Sequence, residues 1–264
     1  MRPNRLRQLL RAGTPSLGTR LVIDWPGLVE IIGQTHLFDY VEFVAEDAPY
    51  DLHTLEHFGR AVDLFDHLSS MIKVDWYGRQ AVASRAVGSG IQNVLFTYIR
   101  TAEDAASCIE AVRPSTPQGA GRFGSTDRRF SGYVVDGGTP QYVQALEDVV
   151  IAFMIENSAA VANLDAILAT PGVDMIVFGA SDYSMSIGKP NQMDLPEVVK
   201  VRDDVYRTAL AAGVQPRAEV MEPDQARRYL DLGIRHFSIG IDAYILNQWW
   251  CRNGDEMRKV MEGG

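Results

Sequence analysis

The chain has 264 residues, of which 46% are hydrophobic and 22% charged, and its formal net charge is -9 at pH 7. The hydrophobic residues are sufficient for a large core, and the negative net charge argues against a nucleic-acid partner, which would require a basic surface. No apolar run approaches the ~18 residues of a membrane span, and Cys108 and Cys251 have neither metal-ligand nor redox spacing, so a reducing cytoplasm is expected.

Short apolar runs alternate with amphipathic helical patterns along the chain. The basic N-terminal segment lacks the apolar core of a signal peptide and is predicted to form a short surface helix. Eight strands are predicted, at residues 17–23, 40–45, 69–74, 93–99, 149–155, 175–180, 216–220 and 237–241. Helices are predicted between or after them, at residues 26–35, 52–65, 79–87, 102–112, 158–168 and 223–232 and from residue 243 onward.

This alternation predicts the α/β class and a single (β/α)8 TIM-barrel domain that spans residues 1–264. Barrels of this size commonly form one domain. The alternative is a doubly wound open sheet, which we disfavour because no glycine-rich phosphate-binding sequence follows the first strand. Cys108 falls in a helical pattern, where we expect a small buried apolar side chain.

One segment, residues 114–140, interrupts the alternation because it is rich in Gly, Pro, Ser and Thr. It belongs to the connection that leads to the fifth strand, so we expect either a lid near the mouth of the barrel or a contact with a neighbouring subunit. A solvated loop is the alternative. The segment carries Arg122, Arg128 and Arg129, which would favour a substrate with a second acid group if they face the mouth.

Two carboxylates stand at the ends of neighbouring predicted strands. Glu156 follows the fifth strand, and Asp182 lies just past the sixth. Parallel strands joined by a helix place their carboxyl ends at the same edge, so these side chains should emerge side by side. Adjacent carboxylates repel one another unless a proton or a cation separates them, and a hard divalent metal ion is the usual partner. The pattern therefore predicts a metal site, with solvated or ion-paired carboxylates as the alternative.

Other polar residues also fall at the predicted strand ends, where a barrel carries its chemistry. They are Arg20, Glu46, Asp47, Lys73, Asp75, Glu219 and Asp242. Lys73 ends an apolar strand, so it either holds a substrate oxygen or forms a structural ion pair with Glu42 or Asp47. Glu42 interrupts a buried strand and must find a partner, because an isolated buried charge is costly. No histidine stands out as a general base.

Four motifs resemble those of the HpcH/HpaI aldolase family, the 2-oxo-acid aldolases related to 4-hydroxy-2-oxoheptanedioate aldolase. They are EDAPYDL after the second strand, IEN with NLDAIL after the fifth, GVDMIVFGASDYSMSIG around the sixth and IGID at the eighth. The resemblance extends from about Leu17 to Leu246. It implies a homo-oligomeric barrel of the phosphoenolpyruvate/pyruvate-binding type, a hexamer or a trimer of dimers, whose subunits exchange the last helix. Trp249 and Trp250 would then contact a partner subunit, the alternative being apolar packing within their own subunit.

The resemblance also implies a function. Family members are carbon-carbon lyases that bind Mg2+, Mn2+ or Co2+ through the residues that match Glu156 and Asp182. The metal ion chelates a pyruvate-like 2-oxo acid and stabilises the enolate that forms when the bond to the aldehyde product breaks, or when pyruvate is deprotonated in the reverse addition. Backbone N–H groups in the loop that matches Gly179, Ala180 and Ser181 receive the substrate carboxylate.

Several positions depart from the family pattern. Asp47 stands where the family has the histidine of its base network, and Val44 matches the aspartate that supports this histidine. Lys73 replaces an arginine that polarises the keto oxygen, and it keeps the charge but not the planar fork. Arg20, where the family commonly has an aromatic residue, could restore a guanidinium. We expect a retained metal and oxo-acid platform with altered proton handling, in which Asp47, Glu46 or metal-bound water serves as the base.

Three functions are consistent with these residues. The first is a metal-dependent aldehyde-lyase that cleaves or forms a carbon-carbon bond next to a 2-oxo acid. The second is decarboxylation, hydration or tautomerisation on the same platform, which the missing histidine and arginine favour. The third is a non-catalytic oxo-acid binder or a structural subunit, and the paired carboxylates of Glu156 and Asp182 argue against it.

Overall fold

The computed structural model describes residues 1–119 and 121–263, and its eight strands close into a parallel barrel in chain order. The strands are β1 (Ser16–Leu21), β2 (Tyr40–Val44), β3 (Ser69–Val74), β4 (Asn93–Phe96), β5 (Val150–Ile155), β6 (Met175–Phe178), β7 (Gln215–Val220) and β8 (His236–Ile241). The predicted (β/α)8 fold is therefore confirmed, and the open-sheet alternative is wrong. The largest shift of a strand end is at β4, which ends at Phe96 rather than at residue 99.

Helices follow the strands and form the outer layer. In the described part of the chain they are α1 (Arg5–Arg11), α2 (Gly27–Gln34), α3 (Leu52–Val62), α4 (Arg79–Gly88), α5 (Ala102–Val112), α6 (Pro140–Glu147), α7 (Ser158–Ala162), α8 (Leu164–Leu168), α9 (Ala180–Ser186), α10 (Pro196–Ala211), α11 (Ala226–Asp231) and α12 (Asp242–Glu262). The helix predicted at residues 158–168 is divided at Asn163, and α6, α9 and α10 were not predicted.

Each strand presents alternate side chains to two separate apolar regions. Outward side chains pack against the helices and form the larger core, to which Phe43, Ile72 and Phe153 belong. Inward side chains fill the barrel interior with Tyr40, Met71, Leu95, Val150, Ala152, Met154, Met175 and Val177. The predicted burial of Cys108 is confirmed, and burial raises the pKa of its thiol to about 12.

The predicted short helix is confirmed as α1, which closes the amino-terminal end of the barrel rather than only lying on the surface. Leu6 is fully buried within the interior cluster, and Leu9 is 5% exposed. The Arg7 guanidinium forms a bidentate pair with Asp174, with N–O distances of 2.5 and 2.6 Å. The basic residues that suggested a surface helix bind the rim of the barrel, while the leucines on the opposite side of α1 enter it.

The described residues of the irregular segment, 114–119 and 121–140, also lie at the amino-terminal end, so the prediction of a lid at the mouth is wrong. The physical reason is that α5 carries the chain away from the mouth before the segment begins. Arg128 donates to the Ser84 carbonyl at 3.1 Å, and Arg129 donates to the Ser89 carbonyl at 3.0 Å. Arg122 pairs with a glutamate of α5 at 2.9 Å. The three arginines thus contact α4, the residue after it and α5, and a contact of the segment with a neighbouring subunit stays a prediction.

Helix α12 extends past the barrel and carries apolar side chains into solvent. Trp249 is 58% exposed and Trp250 is 61% exposed. The alternative that these tryptophans pack within their own subunit is therefore wrong. Among the residues that the structure describes, no helix has both the length and the apolar character needed to cross a membrane.

Candidate active site

The predicted pair Glu156 and Asp182 meets at the mouth of the barrel. β5 and β6 pair in parallel with Ile155 opposite Phe178, so Glu156 lies beside Gly179. Asp182 follows in the first turn of α9, and its charge contributes to a raised pKa of Glu156. The two carboxylates therefore lie close enough to interact electrostatically.

Glu156 is a buried carboxyl group with little compensation for its charge. The residue is 2% exposed, and Oε1 accepts the Tyr98 N–H at 2.5 Å. Burial raises the pKa of Glu156 to about 7. The carboxylates of Glu46 and Asp182 act in the same direction, whereas the Tyr98 N–H and the Lys73 ammonium oppose the shift. Burial therefore favours the neutral form of Glu156 near neutral pH, unless a cation binds it.

Gly179 leaves space for the Glu156 side chain. Its N–H donates to the Ile155 carbonyl at 3.0 Å, so the prediction that this N–H receives a substrate carboxylate is wrong. A Cβ at this position would lie 2.6 Å from the Glu156 Cβ and 3.0 Å from Oε2. A glycine is required here, because a larger residue would displace the Glu156 side chain. The N–H groups of Ala180 and Ser181 begin α9 and have no partner within that helix.

Tyr98 was not predicted as a site residue, although its main chain holds Glu156. Its φ is 56°, a left-handed conformation that is uncommon for a residue other than glycine. Such backbone conformations concentrate at functional sites, where neighbouring contacts maintain them. The ring of Tyr98 lies 6.2 Å from the Trp76 ring, and the Arg100 guanidinium lies 4.5 Å from its centroid. A pattern of side chains could not reveal this role, because the contact with Glu156 uses the main-chain N–H.

Lys73 and Glu46 form an ion pair at the mouth, with 2.5 Å between Nζ and Oε2. The structural partners predicted for Lys73, Glu42 and Asp47, are both wrong. Burial would lower the pKa of Lys73, but the surrounding carboxylates, first Glu46, outweigh burial and raise it. Burial also raises the pKa of Glu46; Lys73 opposes this shift, and Asp47 adds to it. Asp47 itself is exposed to solvent.

Four charged side chains, Glu42, Arg217, Glu219 and Arg20, form a continuous series of ion pairs that we name the charged column. Glu42 and Arg217 are 0% exposed and pair with each other inside the barrel. Arg217 Nη2 lies 2.6 Å from Glu219 Oε1, and Arg20 Nη1 lies 2.5 Å from Glu219 Oε2. Arg20 Nε also donates to the Gly240 carbonyl at 3.2 Å. The column thus runs from the barrel interior to the mouth.

Arg217 was not predicted, although a signal for it was present. It stands two residues before Glu219, and alternate residues of a strand face the same side. Burial would raise the pKa of Glu219, but the charges of Arg20, Arg217 and Lys73 outweigh burial and lower it. The expectation that Glu42 must find a partner is confirmed by its contact with Arg217.

Two of the predicted mouth carboxylates order the loops. Asp242 accepts the N–H groups of Val22 and Ile23 at 3.0 and 2.9 Å, which fixes the chain after β1. Asp75 accepts the Tyr77 N–H at 3.4 Å. These contacts satisfy main-chain donors at the rim of the mouth.

The donor set at the mouth suits a hard divalent cation. Glu156 and Asp182 offer carboxylate oxygens, and Mg2+ is commonly bound through one or two carboxylates while it keeps several waters. Within residues 1–119 and 121–263, no group of three or more His, Cys, Asp or Glu side chains is arranged to hold a metal ion. The protein would therefore supply two ligands, and the weakly compensated charge of Glu156 is the observation that fits a cation.

A parallel barrel with two carboxylates at the carboxyl ends of adjacent strands defines a class of (β/α)8 proteins that carry an acidic site at the mouth. Within that class the chain belongs to the HpcH/HpaI aldolase/citrate lyase family, whose model matches residues 28–248. The resemblance inferred from the motifs is thereby confirmed.

Individual relatives agree with this assignment. The chain is 30% identical to the hydroxypyruvate/pyruvate aldolase of Pseudomonas aeruginosa over 246 residues, which cover 92% of this chain and 88% of that protein. It is 28% identical to the 5-keto-4-deoxy-D-glucarate aldolase of Escherichia fergusonii over 258 residues, 97% of this chain and 98% of that protein. The crystal structure of an HpcH/HpaI aldolase/citrate lyase family protein from Burkholderia cenocepacia J2315 matches with a TM-score of 0.87 at 25% identity, covering 97% of this chain and 100% of that chain.

Proposed function

We propose that this protein is an aldehyde-lyase that uses a divalent cation to cleave or form a carbon-carbon bond next to a 2-oxo acid. The observation that carries the proposal is the buried Glu156 carboxyl beside Asp182, whose charge the surrounding protein compensates only weakly. Membership of the family and the two aldolase relatives support the same class of reaction. A small 2-oxo acid and an aldehyde are then its substrates or products.

Glu156 and Asp182 are the residues that would hold Mg2+, Mn2+ or Co2+. When bound there, the ion supplies positive charge near the keto oxygen and so stabilises the negative charge that develops during reaction. The Tyr98 N–H keeps Oε1 of Glu156 in place, at 2.5 Å. Gly179 leaves the room that the Glu156 side chain needs, because a Cβ there would lie 2.6 Å from the Cβ of Glu156.

Hydrogen-bond donors around Glu156 and Asp182 bind the substrate. The N–H groups of Ala180 and Ser181 receive its carboxylate, since α9 leaves them without a partner. Lys73 is the cation that contacts the keto oxygen, because its charge already acts on Glu156. Arg20 stands on β1, across the barrel from β5 in strand order, and offers its remaining N–H groups to an oxygen of the substrate.

Glu46 serves as the base in preference to Asp47. Burial raises the pKa of Glu46, and the adjacent Asp47 carboxylate adds to this shift, which moves Glu46 toward the range where it can take and return a proton. Lys73 holds Oε2 of Glu46 at 2.5 Å and so orients the carboxyl group. Asp47 is exposed and acts on Glu46 through its charge.

A second candidate is decarboxylation, hydration or tautomerisation at the same site. The Lys73–Glu46 pair favours it, because a cation beside a proton acceptor suffices for proton transfer at the carbon next to a keto group. A non-catalytic oxo-acid binder is the least favoured function, since binding alone does not require a buried carboxyl with a pKa of about 7.

Turnover of defined substrates separates these functions. Protein loaded with Mg2+ or Mn2+ is incubated with pyruvate in deuterated water, with and without aldehydes, and with oxaloacetate. A lyase exchanges the C3 protons of pyruvate and adds the aldehyde, whereas the second candidate exchanges or decarboxylates without addition. Metal-dependent pyruvate binding without turnover would support a non-catalytic oxo-acid binder. Glu46→Gln should abolish exchange and Asp47→Asn should only slow it; the reverse result would assign the base to Asp47.

The proposal includes a homo-oligomer, a hexamer or a trimer of dimers, in which α12 is exchanged between subunits. The support is the exposed apolar surface of this 21-residue helix, including Trp249, Trp250 and Val260. Light scattering on the protein and on a Trp249→Ser/Trp250→Ser variant tests it. We expect a smaller assembly for the variant, and a monomeric wild-type protein would contradict the proposal.

A further inference from the structure

Stability alone does not account for the charged column. Glu42 and Arg217 are both fully buried, and Oε1 of Glu42 and Nε of Arg217 have no hydrogen-bond partner within the described protein. Moving two charges out of water is expensive, and pairing them inside a protein commonly gives no more stability than apolar residues of the same volume. The column therefore calls for a role beyond filling the barrel.

The contacts of the column lead from the interior to the mouth. Arg217 holds Glu42 with one terminal nitrogen and Glu219 Oε1 with the other, the second contact at 2.6 Å. Glu219 uses its remaining oxygen for Arg20, at 2.5 Å. Because arginines hold both of its oxygens, the Glu219 carboxylate has one orientation available. Arg20 is fixed in turn by Glu219 and by the Gly240 carbonyl.

We infer that Arg217 and Glu42 are positioning residues that act through Glu219 to hold the Arg20 guanidinium at the mouth for substrate. The inference rests on the proposed function, because it concerns a side chain that would contact substrate there. Arg20 keeps N–H groups for a substrate oxygen, since its further contact is a weak one to the Met221 sulfur at 3.7 Å. A guanidinium that is already held at two points loses little freedom when it binds.

Three variants test this role. Glu42→Leu combined with Arg217→Met removes the buried pair and leaves neither charge unpaired, so the barrel should fold. Arg217→Lys is the conservative variant, because it keeps a cation beside Glu219. Arg7→Met is the matched control, since Arg7 forms a two-point ion pair at the opposite end of the barrel.

Two measurements are made on each protein. NMR of the Arg20 side-chain N–H groups, assigned by their loss in Arg20→Lys, reports how fast the guanidinium rotates. Calorimetry with Mn2+ and then pyruvate reports the affinities for metal and for substrate separately. We expect the double variant to keep the wild-type Mn2+ affinity, to show faster Arg20 rotation and to bind pyruvate on the order of tenfold more weakly. Arg217→Lys should bind pyruvate with an affinity between those of the double variant and the wild-type protein. Arg7→Met should change neither the Arg20 rotation nor the pyruvate affinity.

Unchanged Arg20 rotation in the double variant would overturn the inference. Faster rotation together with wild-type pyruvate affinity would overturn it as well, because the orientation would then not matter to substrate. A wild-type protein that took up no Mn2+ or bound no pyruvate would instead remove the proposed function, and the NMR signal alone would decide whether the column positions Arg20.

Discussion

The two ends of the barrel contain similar charged residues and use them differently. At the amino-terminal end the buried guanidinium groups are engaged by the protein, as in the bidentate contact of Arg7 with Asp174. Arg113 likewise donates to three main-chain carbonyls near the start of β5, at 2.8 to 3.0 Å. At the mouth, Glu156 is buried with a main-chain N–H on one oxygen, and Lys73 pairs with Glu46 rather than with Glu156.

This difference separates stability from reactivity within one fold. The buried charges at the end that α1 closes are satisfied by other groups of the protein, and these contacts order that end. A carboxylate that burial holds near neutrality gains by binding a cation, so the mouth is the end at which chemistry is expected. Substitutions at the mouth should therefore abolish binding or turnover, and substitutions at the closed end should lower stability alone.

The largest effect is expected for Glu156→Gln at the mouth. The amide keeps the volume but removes the charge that a divalent cation requires, so Mn2+ uptake should disappear and turnover of the 2-oxo acid should fall by about 10³-fold or more. Calorimetry and a turnover assay measure the two effects. Asp148→Asn, at the closed end, is the control. A Glu156→Gln protein that still binds Mn2+ would contradict the proposed difference between the mouth and the closed end.

The next largest effect is expected for Leu6→Ala at the closed end. Leu6 is fully buried inside the barrel, so its truncation should lower the free energy of unfolding by about 2–5 kcal/mol. Chemical denaturation measures this loss, with Leu37→Ala as the control because Leu37 is 72% exposed. Metal affinity should stay at the wild-type value, and a parallel loss of metal affinity would show that the two ends are coupled.

A smaller effect is expected for Lys73→Met at the mouth. Removing the cation beside the keto oxygen should lower kcat/KM by about 10²-fold, because one preorganised electrostatic contact is lost. Lys73→Arg should recover most of the rate, and Lys200→Met, at an exposed position of α10, serves as the control. Equal rates for the wild-type protein and Lys73→Met would exclude Lys73 from the reaction.

The smallest effect is a pH dependence that arises at the closed end. His236 is buried beside Ser16, with 2.9 Å between Nδ1 and Oγ, and burial lowers its pKa from 6.5 to about 4, with Arg235 adding to the shift. Between these values the unfolded chain binds the additional proton, so stability falls as the pH is lowered from about 6.5 to 4.

The loss contributed by His236 between pH 7 and pH 5 should be about 2 kcal/mol. Denaturation curves at the two pH values measure it. His236→Asn should lose less stability over this interval than the wild-type protein, whereas His57→Asn, at an exposed position, should behave like the wild type. An identical pH dependence for His236→Asn and the wild-type protein would contradict the assignment.

Much of the fold could be predicted because it depends on local patterns. The apolar runs that end at Ile155 and Phe178 are strands in the structure, and Glu156 follows the first of them at the mouth. The structural prediction failed where one sequence pattern is compatible with two different environments. The basic α1 resembles a surface helix, and only the open end of a barrel explains why Leu6 and Leu9 are buried.

The sequence by itself determined the barrel, its order of strands and the charged residues at its strand ends, because alternation and strand ends are properties of neighbouring residues. Tertiary structure alone decided the partners of the charges. Glu42 and Arg217 are 175 positions apart in the chain, and the sequence suggested Glu42 or Asp47 as the partner of Lys73, whereas the structure pairs it with Glu46. A charged side chain pairs with the opposite charge that lies nearest to it once the barrel has closed. The distances between such groups depend on the arrangement of all eight strands.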